Sequence, residues 1–178
     1  MIRLFAAIAV PDGIAQTLVP LQTGLEGARW HRPEAFHITL RFFGDIAEDV
    51  ADDVDQALAE VGGQPFEVSL QGAGAFGEGH ELRAVWAGVE DGGALGRLAG
   101  RCETAAKRAG LKADTRKYAP HVTLAYLRHA DPSQVGAWIA AHNLLRTPPF
   151  RVESFGLYSS WSGKSGRSYR LEQTYPLR

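Results

Sequence analysis

Phe36-His37-Ile38-Thr39-Leu40-Arg41-Phe42-Phe43 alternates with period two, the pattern of a β-strand. A strand would put His37, Thr39 and Arg41 on one face and Ile38, Leu40 and Phe42 on the other. A polar row on so apolar a strand calls for a reason. Eighty-four residues on, Ala119-Pro120-His121-Val122-Thr123-Leu124-Ala125-Tyr126 repeats the arrangement, again with His and Thr on one face. With six His and eight Thr in 178 residues, roughly a quarter of one His-x-Thr would arise by chance. Two copies, both in strand contexts, imply two halves that face each other across these strands.

Working outward, residues 2 to 10 read as a strand closed by Pro11, followed by a helix over 12 to 27 that Pro20 kinks or breaks. Gly44-Asp45 ends the first His-x-Thr strand. Asp45 with Glu48 forms a capping-box pattern ahead of a helix whose apolar stripe is Ile46, Val50, Val54, Ala57, Leu58 and Val61. After Gly62-Gly63, strands over 66 to 70 and 82 to 89 are joined by the glycine-rich loop 71 to 80. Asp91 opens a third helix with Leu95, Leu98, Cys102, Ala105 and Ala109 inward. The second His-x-Thr strand spans 118 to 127. Asp131-Pro132-Ser133-Gln134 then carries a cap, a first-turn Pro and a capping-box Gln, and strands over 150 to 158 and 167 to 177 flank a turn-rich 159 to 166. The expectation is an α+β fold: antiparallel sheet, helices packed outside, and a weak internal duplication.

At 45% hydrophobic the chain can bury a full core, and 1 to 178 reads as a single domain, expected to act as a monomer. A net charge of −1 gives no global basic field, which argues against a coat-like nucleic-acid binder and for a local site. One cysteine, Cys102, excludes an internal disulfide framework; a reducing, cytoplasmic setting is the simplest expectation. The apolar run 1 to 10 stops at Pro11-Asp12-Gly13, far short of a membrane span, and reads as a buried first strand.

Three motifs fail on mechanism. Gly72-Ala73-Gly74-Ala75-Phe76-Gly77 fits the dinucleotide fingerprint, but a strand follows where a helix N-terminus is needed. Gly163-Lys164-Ser165 lacks the upstream glycine of a phosphate loop, where Tyr158 stands. Neither histidine pair is spaced like a helix-borne metal motif, so no metal is expected.

Two imidazoles on neighbouring strands can divide the work of acid and base near neutrality. In-line displacement at phosphorus needs that pair: one His takes a proton from the attacking oxygen while the other protonates the leaving oxygen. Thr39 and Thr123 can donate to non-bridging oxygens, and Arg41 can offset phosphate charge. Taken singly, each His-x-Thr would more often be a satisfied core pair, and Arg41 a solvated strand residue. Among the aromatic residues Trp30, Phe76, Trp86 and Trp161, Trp86 reads as core. Trp161, in a Ser/Gly loop, is the better candidate for stacking on a base.

On these residues the sequence resembles the 2H phosphoesterases, specifically the bacterial RNA 2',3'-cyclic phosphodiesterase branch, also called 2'-5' RNA ligase. The likeness runs through Arg3-Leu4-Phe5-Ala6-Ala7-Ile8, the block 36 to 44, Phe76 through Arg83 to Trp86, Pro120-His121-Val122-Thr123-Leu124, Leu157-Tyr158-Ser159-Ser160, and Gly166 to Tyr169. It implies a bilobal pseudo-two-fold fold with a central cleft, no cofactor, no metal, and RNA with a 2',3'-cyclic phosphate end as partner. By the same resemblance His121 matches the general base and His37 the general acid. The product would carry a 2'-phosphate, and the reverse reaction would be ligation. Thr39 and Thr123 match the phosphate-binding hydroxyls. Tyr126 stands where the branch often carries Arg and is kept as a substrate contact; either Arg83 or Arg128 supplies the charge, or the substrate preference differs. Rival readings are hydrolysis of small cyclic nucleotide phosphates and a non-catalytic RNA-end binding module; intact His and Thr in both motifs argue against the latter.

Overall fold

A computed structural model describes residues Met1–Arg178. Strand β1 (Ile2–Ala9) sends Leu4, Ala6 and Ile8 into the core; Phe5 and Ala7 point the other way. Helix α1 (Asp12–Leu18) gives way to a 3₁₀ turn, Val19–Leu21, where Pro20 withholds a backbone N–H. The two-residue β2 (Arg29–Trp30) and β3 (His37–Ile46) follow, then α2 (Glu48–Ala59), β4 (Phe66–Phe76), β5 (Ala84–Glu90) and α3 (Ala94–Arg108). The chain closes with β6 (His121–Tyr126), α4 (Pro132–His142), β7 (Phe150–Val152), β8 (Ser154–Gly163) and β9 (Gly166–Pro176).

All pairings are antiparallel, and β3 and β6 form the middle of the sheet. From β3 the order runs outward through β1, β8 and β9; from β6 it runs through β5, β4 and β7. Each flank of the sheet draws on both halves of the chain. The β4–β5 pair crosses to the β6 side, and β8–β9 return to the β3 side. Helices α2 and α3 pack together, α3 lies against β3, and α4 lies against β4. The core, with Cys102 fully buried in it, fills the space between these helices and the sheet. The opposite face of the curled sheet carries the site.

Several local expectations need correction. Asp45 does not cap α2; it lies within β3, pairs with Arg3 at 3.2 Å, and leaves Ala47 at the helix N-cap position. Asp91 and Asp131 do cap, each accepting backbone N–H bonds of its helix start, from Gly93 and Leu95 and from Ser133. Gln134 accepts from the Glu26 N–H rather than closing a capping box. The strand over 150 to 158 is broken in two, with β7 joining β4 and β8 joining β1. The segment 159 to 166 is mostly strand, and Lys164-Ser165 form the tip of the β8–β9 hairpin.

The glycine-rich segment is also strand for most of its length. Its first glycine, Gly72, takes a positive φ where β4 slips register against β5, and Gly74 lets the Trp86 indole lie on the backbone. Gly77 ends the strand at φ +89°, and a Cβ there would fall 2.0 Å from the Glu81 carbonyl oxygen. Gly77→Ala should therefore lower stability by about 2 kcal/mol and Tm by roughly 5 °C. A thermal melt matching the wild type would show that the turn tolerates a side chain.

Candidate active site

The pairing of Ile38 with Val122 fixes the centre of the site. Continued by one residue either way, that register puts His37 opposite Thr123 and Thr39 opposite His121. Each histidine therefore faces the other strand's threonine. The two imidazoles lie on a diagonal, with backbones about 7–8 Å apart.

The two histidines are held alike. His37 Nδ1–H donates to the Ala35 carbonyl and His121 Nδ1–H to the Ala119 carbonyl, both at 2.8 Å. Because a carbonyl only accepts, each bond fixes the proton on Nδ1 and leaves Nε2 as the nitrogen that takes or gives a proton. Burial pushes both imidazoles below the ordinary value of 6.5; the carbonyl bonds oppose it, and for His37 the charge of His121 adds to it.

Aromatic rings wall the cleft on both sides. Phe5 and Tyr169 stand 4.9 and 5.0 Å from His37, and Phe5 stacks on Tyr158 at 5.5 Å. Phe76 meets His121 edge-on at 4.6 Å, with Trp86 at 6.3 Å. The rings desolvate the imidazoles and are the physical cause of the depressed pKa values.

A family model for the 2'-5' RNA ligase superfamily matches residues 10–163. The chain belongs to that superfamily. A relative from Archaeoglobus fulgidus named RNA 2',3'-cyclic phosphodiesterase is 35% identical over 133 residues, covering 73% of this chain and 75% of its own. Another of the same name, from Aeropyrum pernix, is 38% identical over 120 residues, covering 67% and 64%. Among solved structures, TT0787 of Thermus thermophilus superposes with a TM-score of 0.81 at 23% identity, covering 99% of this chain and 98% of its own. E. coli LigT complexed with 3'-AMP gives 0.79 at 23% identity, with the same coverage. The bilobal antiparallel fold expected from the sequence is thus the fold of known structures.

Within this superfamily fold, the residues singled out from sequence divide. His37, Thr39, His121 and Thr123 share the cleft face, and Tyr126 reaches its rim beside Tyr169. Arg83 lies one ring away from His121, its guanidinium 5.9 Å above Phe76. Arg128 is exposed in the turn after β6 and pairs with no acid. Arg41 is not in the cleft. Strand β3 carries one more residue than β1 between Thr39 and Arg41, and this bulge turns Arg41 to the helix side. There it pairs with Glu103 of α3 and donates to the Phe42 and Lys112 carbonyls. The same slip puts Phe43 in the core and brings Phe42 to the cleft side, against Phe5. Trp161 is 55% exposed, but its indole N–H donates to Ser159, on the face of β8 opposite Tyr158. It does not face the histidines. Trp86, expected in the core, is half-buried on the cleft face instead.

Sequence reasoning passed over Phe5, Tyr158 and Tyr169 as site residues, and His31. Phe5 is missed because its strand is apolar on both faces, so periodicity does not mark a wall residue. Tyr169 lies 132 residues from His37, and only the return of β9 brings it there.

Proposed function

We propose that this chain hydrolyses RNA 2',3'-cyclic phosphate ends to 2'-phosphates. The observation that carries the reading is the matched pair of histidines, each with Nδ1–H tied to a carbonyl and Nε2 free, on one face of two neighbouring strands. The names of the relatives support the substrate class. His121 takes a proton from water as its oxygen attacks phosphorus. The bond from phosphorus to the 3' oxygen breaks, and His37 gives that oxygen its proton. Thr39 and Thr123 donate to the non-bridging oxygens, whose charge grows in the transition state. By microscopic reversibility the same groups can join a cyclic-phosphate end to a 5'-hydroxyl as a 2'-5' ligase.

The mechanism draws its acid and base from the protein, so turnover should persist in EDTA. Activity lost to EDTA and restored by a divalent cation would overturn it.

The pH dependence follows from the depressed imidazoles. The base must be neutral and the acid protonated, so kcat/KM should rise as the base loses its proton and fall as the acid loses its own. With both groups pushed below 6.5, the bell should centre on the acid side of 6.5. A maximum above pH 8, with chemistry limiting the rate, would contradict the assignment.

A further inference from the structure

A third imidazole stands beside the pair. His31 follows β2; its backbone N–H donates to the Leu124 carbonyl at 2.8 Å, and its own carbonyl accepts from Gln22 Nε2 at 2.7 Å. The segment is held on both sides. The His31 ring meets the Tyr126 ring at 4.9 Å and 65°, Tyr126 neighbours Tyr169, and Tyr169 stands against His37. Four side chains thus form a continuous arc from His37 to the rim of the cleft.

The proton of His31 sits on the opposite nitrogen from those of its neighbours. Its Nδ1 is buried without a hydrogen-bond partner. An N–H at that position would be a buried donor with no acceptor, which folding disfavours. The neutral ring therefore carries its proton on Nε2, the nitrogen left open, and is a donor where His37 and His121 present Nε2 as an acceptor. Burial, with the charge of His37 adding to it, lowers the His31 pKa to about 4, so it is a neutral donor near neutrality. Arg29 lies opposite Tyr126 in the β2–β6 register, on the same face, exposed and with no acidic partner.

Stereochemistry says what this arc meets. In the proposed reaction His37 serves the 3' oxygen, and C3' of the terminal ribose is bonded to C4', which carries C5' and the phosphodiester to the preceding nucleotide. Groups that continue from His37 toward the rim therefore lie on the side of that phosphodiester. We propose that His31 Nε2–H, the Tyr126 hydroxyl and the Arg29 guanidinium form a subsite for the phosphodiester 5' to the cyclic end, so the chain selects oligonucleotide ends over mononucleotides. A neutral donor, a hydroxyl and one cation suit a singly charged phosphodiester. The proposal rests on the function given above.

The test is the ratio of kcat/KM for a dinucleotide ending in a 2',3'-cyclic phosphate to that for the nucleoside 2',3'-cyclic phosphate alone. Wild type should favour the dinucleotide by about tenfold or more. The ratio should fall at least fivefold in His31→Phe and in Arg29→Ala, through KM more than kcat, and His31→Gln, whose amide N–H can occupy the Nε2 position, should restore most of it. Circular dichroism and thermal melts check that each variant folds; Arg29→Ala, at an exposed position, carries the test if His31→Phe does not fold. Equal efficiency on both substrates in wild type, or an unchanged ratio in the folded variants, overturns the subsite and leaves the functional reading standing. Turnover of neither substrate overturns the functional reading, and the subsite with it.

Discussion

His37→Ala and His121→Ala should each lower kcat for a 2',3'-cyclic phosphate by roughly 10²- to 10⁴-fold, about 3 to 5 kcal/mol of barrier. Each removes one proton-transfer group, and the aromatic walls and threonines have no imidazole to substitute. The His37→Ala,His121→Ala double variant should lose little more than either single one, because acid and base act on the same bond change. Alanine also strips the donor from the Ala35 or Ala119 carbonyl. Asparagine separates the two effects, since its amide N–H can keep the bond to the carbonyl while offering nothing at Nε2. The asparagine variants should be as inactive as the alanine ones, with melts closer to wild type. Turnover within tenfold of wild type in either asparagine variant would mean that histidine serves as a brace and not as acid or base.

Glu103→Ala should destabilise the fold by about 3 kcal/mol while leaving kcat/KM of the folded protein within about threefold of wild type. The Arg41 and Glu103 side chains are only 10% and 20% exposed, so removing one partner strands a largely desolvated charge. Arg41 would keep only the carbonyls of Phe42 and Lys112. Glu103, by contrast, also accepts from the Asp114 N–H at 3.1 Å and lies 3.8 Å from Lys107, so Arg41→Ala should cost somewhat less. Urea unfolding of the two variants, read beside their steady-state kinetics, gives both quantities. A stable Arg41→Ala protein that no longer turns over cyclic phosphate would return Arg41 to the phosphate and refute its structural role.

Arg41 also marks where the sequence stopped being legible. Alternation reads correctly through Thr39 because β3 is regular there, and the two His-x-Thr segments alone gave the central strands and the cleft face. One extra residue at the bulge reverses the sides of Arg41, Phe42 and Phe43 until a second slip between Leu4 and Phe5 restores them, and a period-two count has no means of registering either. Helices α3 and α4 were readable from Asp91 and from Asp131-Pro132, since their caps are local chemistry. The false cap at Asp45 shows the limit of such patterns: an ion pair with Arg3, from a strand more than forty residues earlier, holds that carboxylate instead. His31, Tyr126 and Tyr169 come together only through the β2–β6 pairing and the return of β9 along β8, so nothing local announces them.

The most direct test of the central claim is to incubate purified protein in EDTA with a short RNA ending in a 2',3'-cyclic phosphate and to resolve the 2'- from the 3'-phosphate product. Wild type should yield the 2'-phosphate alone, and neither His37→Asn nor His121→Asn should yield it at a comparable rate. A 3'-phosphate product would contradict the assignment of His37 to the 3' oxygen, and wild type that binds the RNA but leaves the ring closed would contradict catalysis itself.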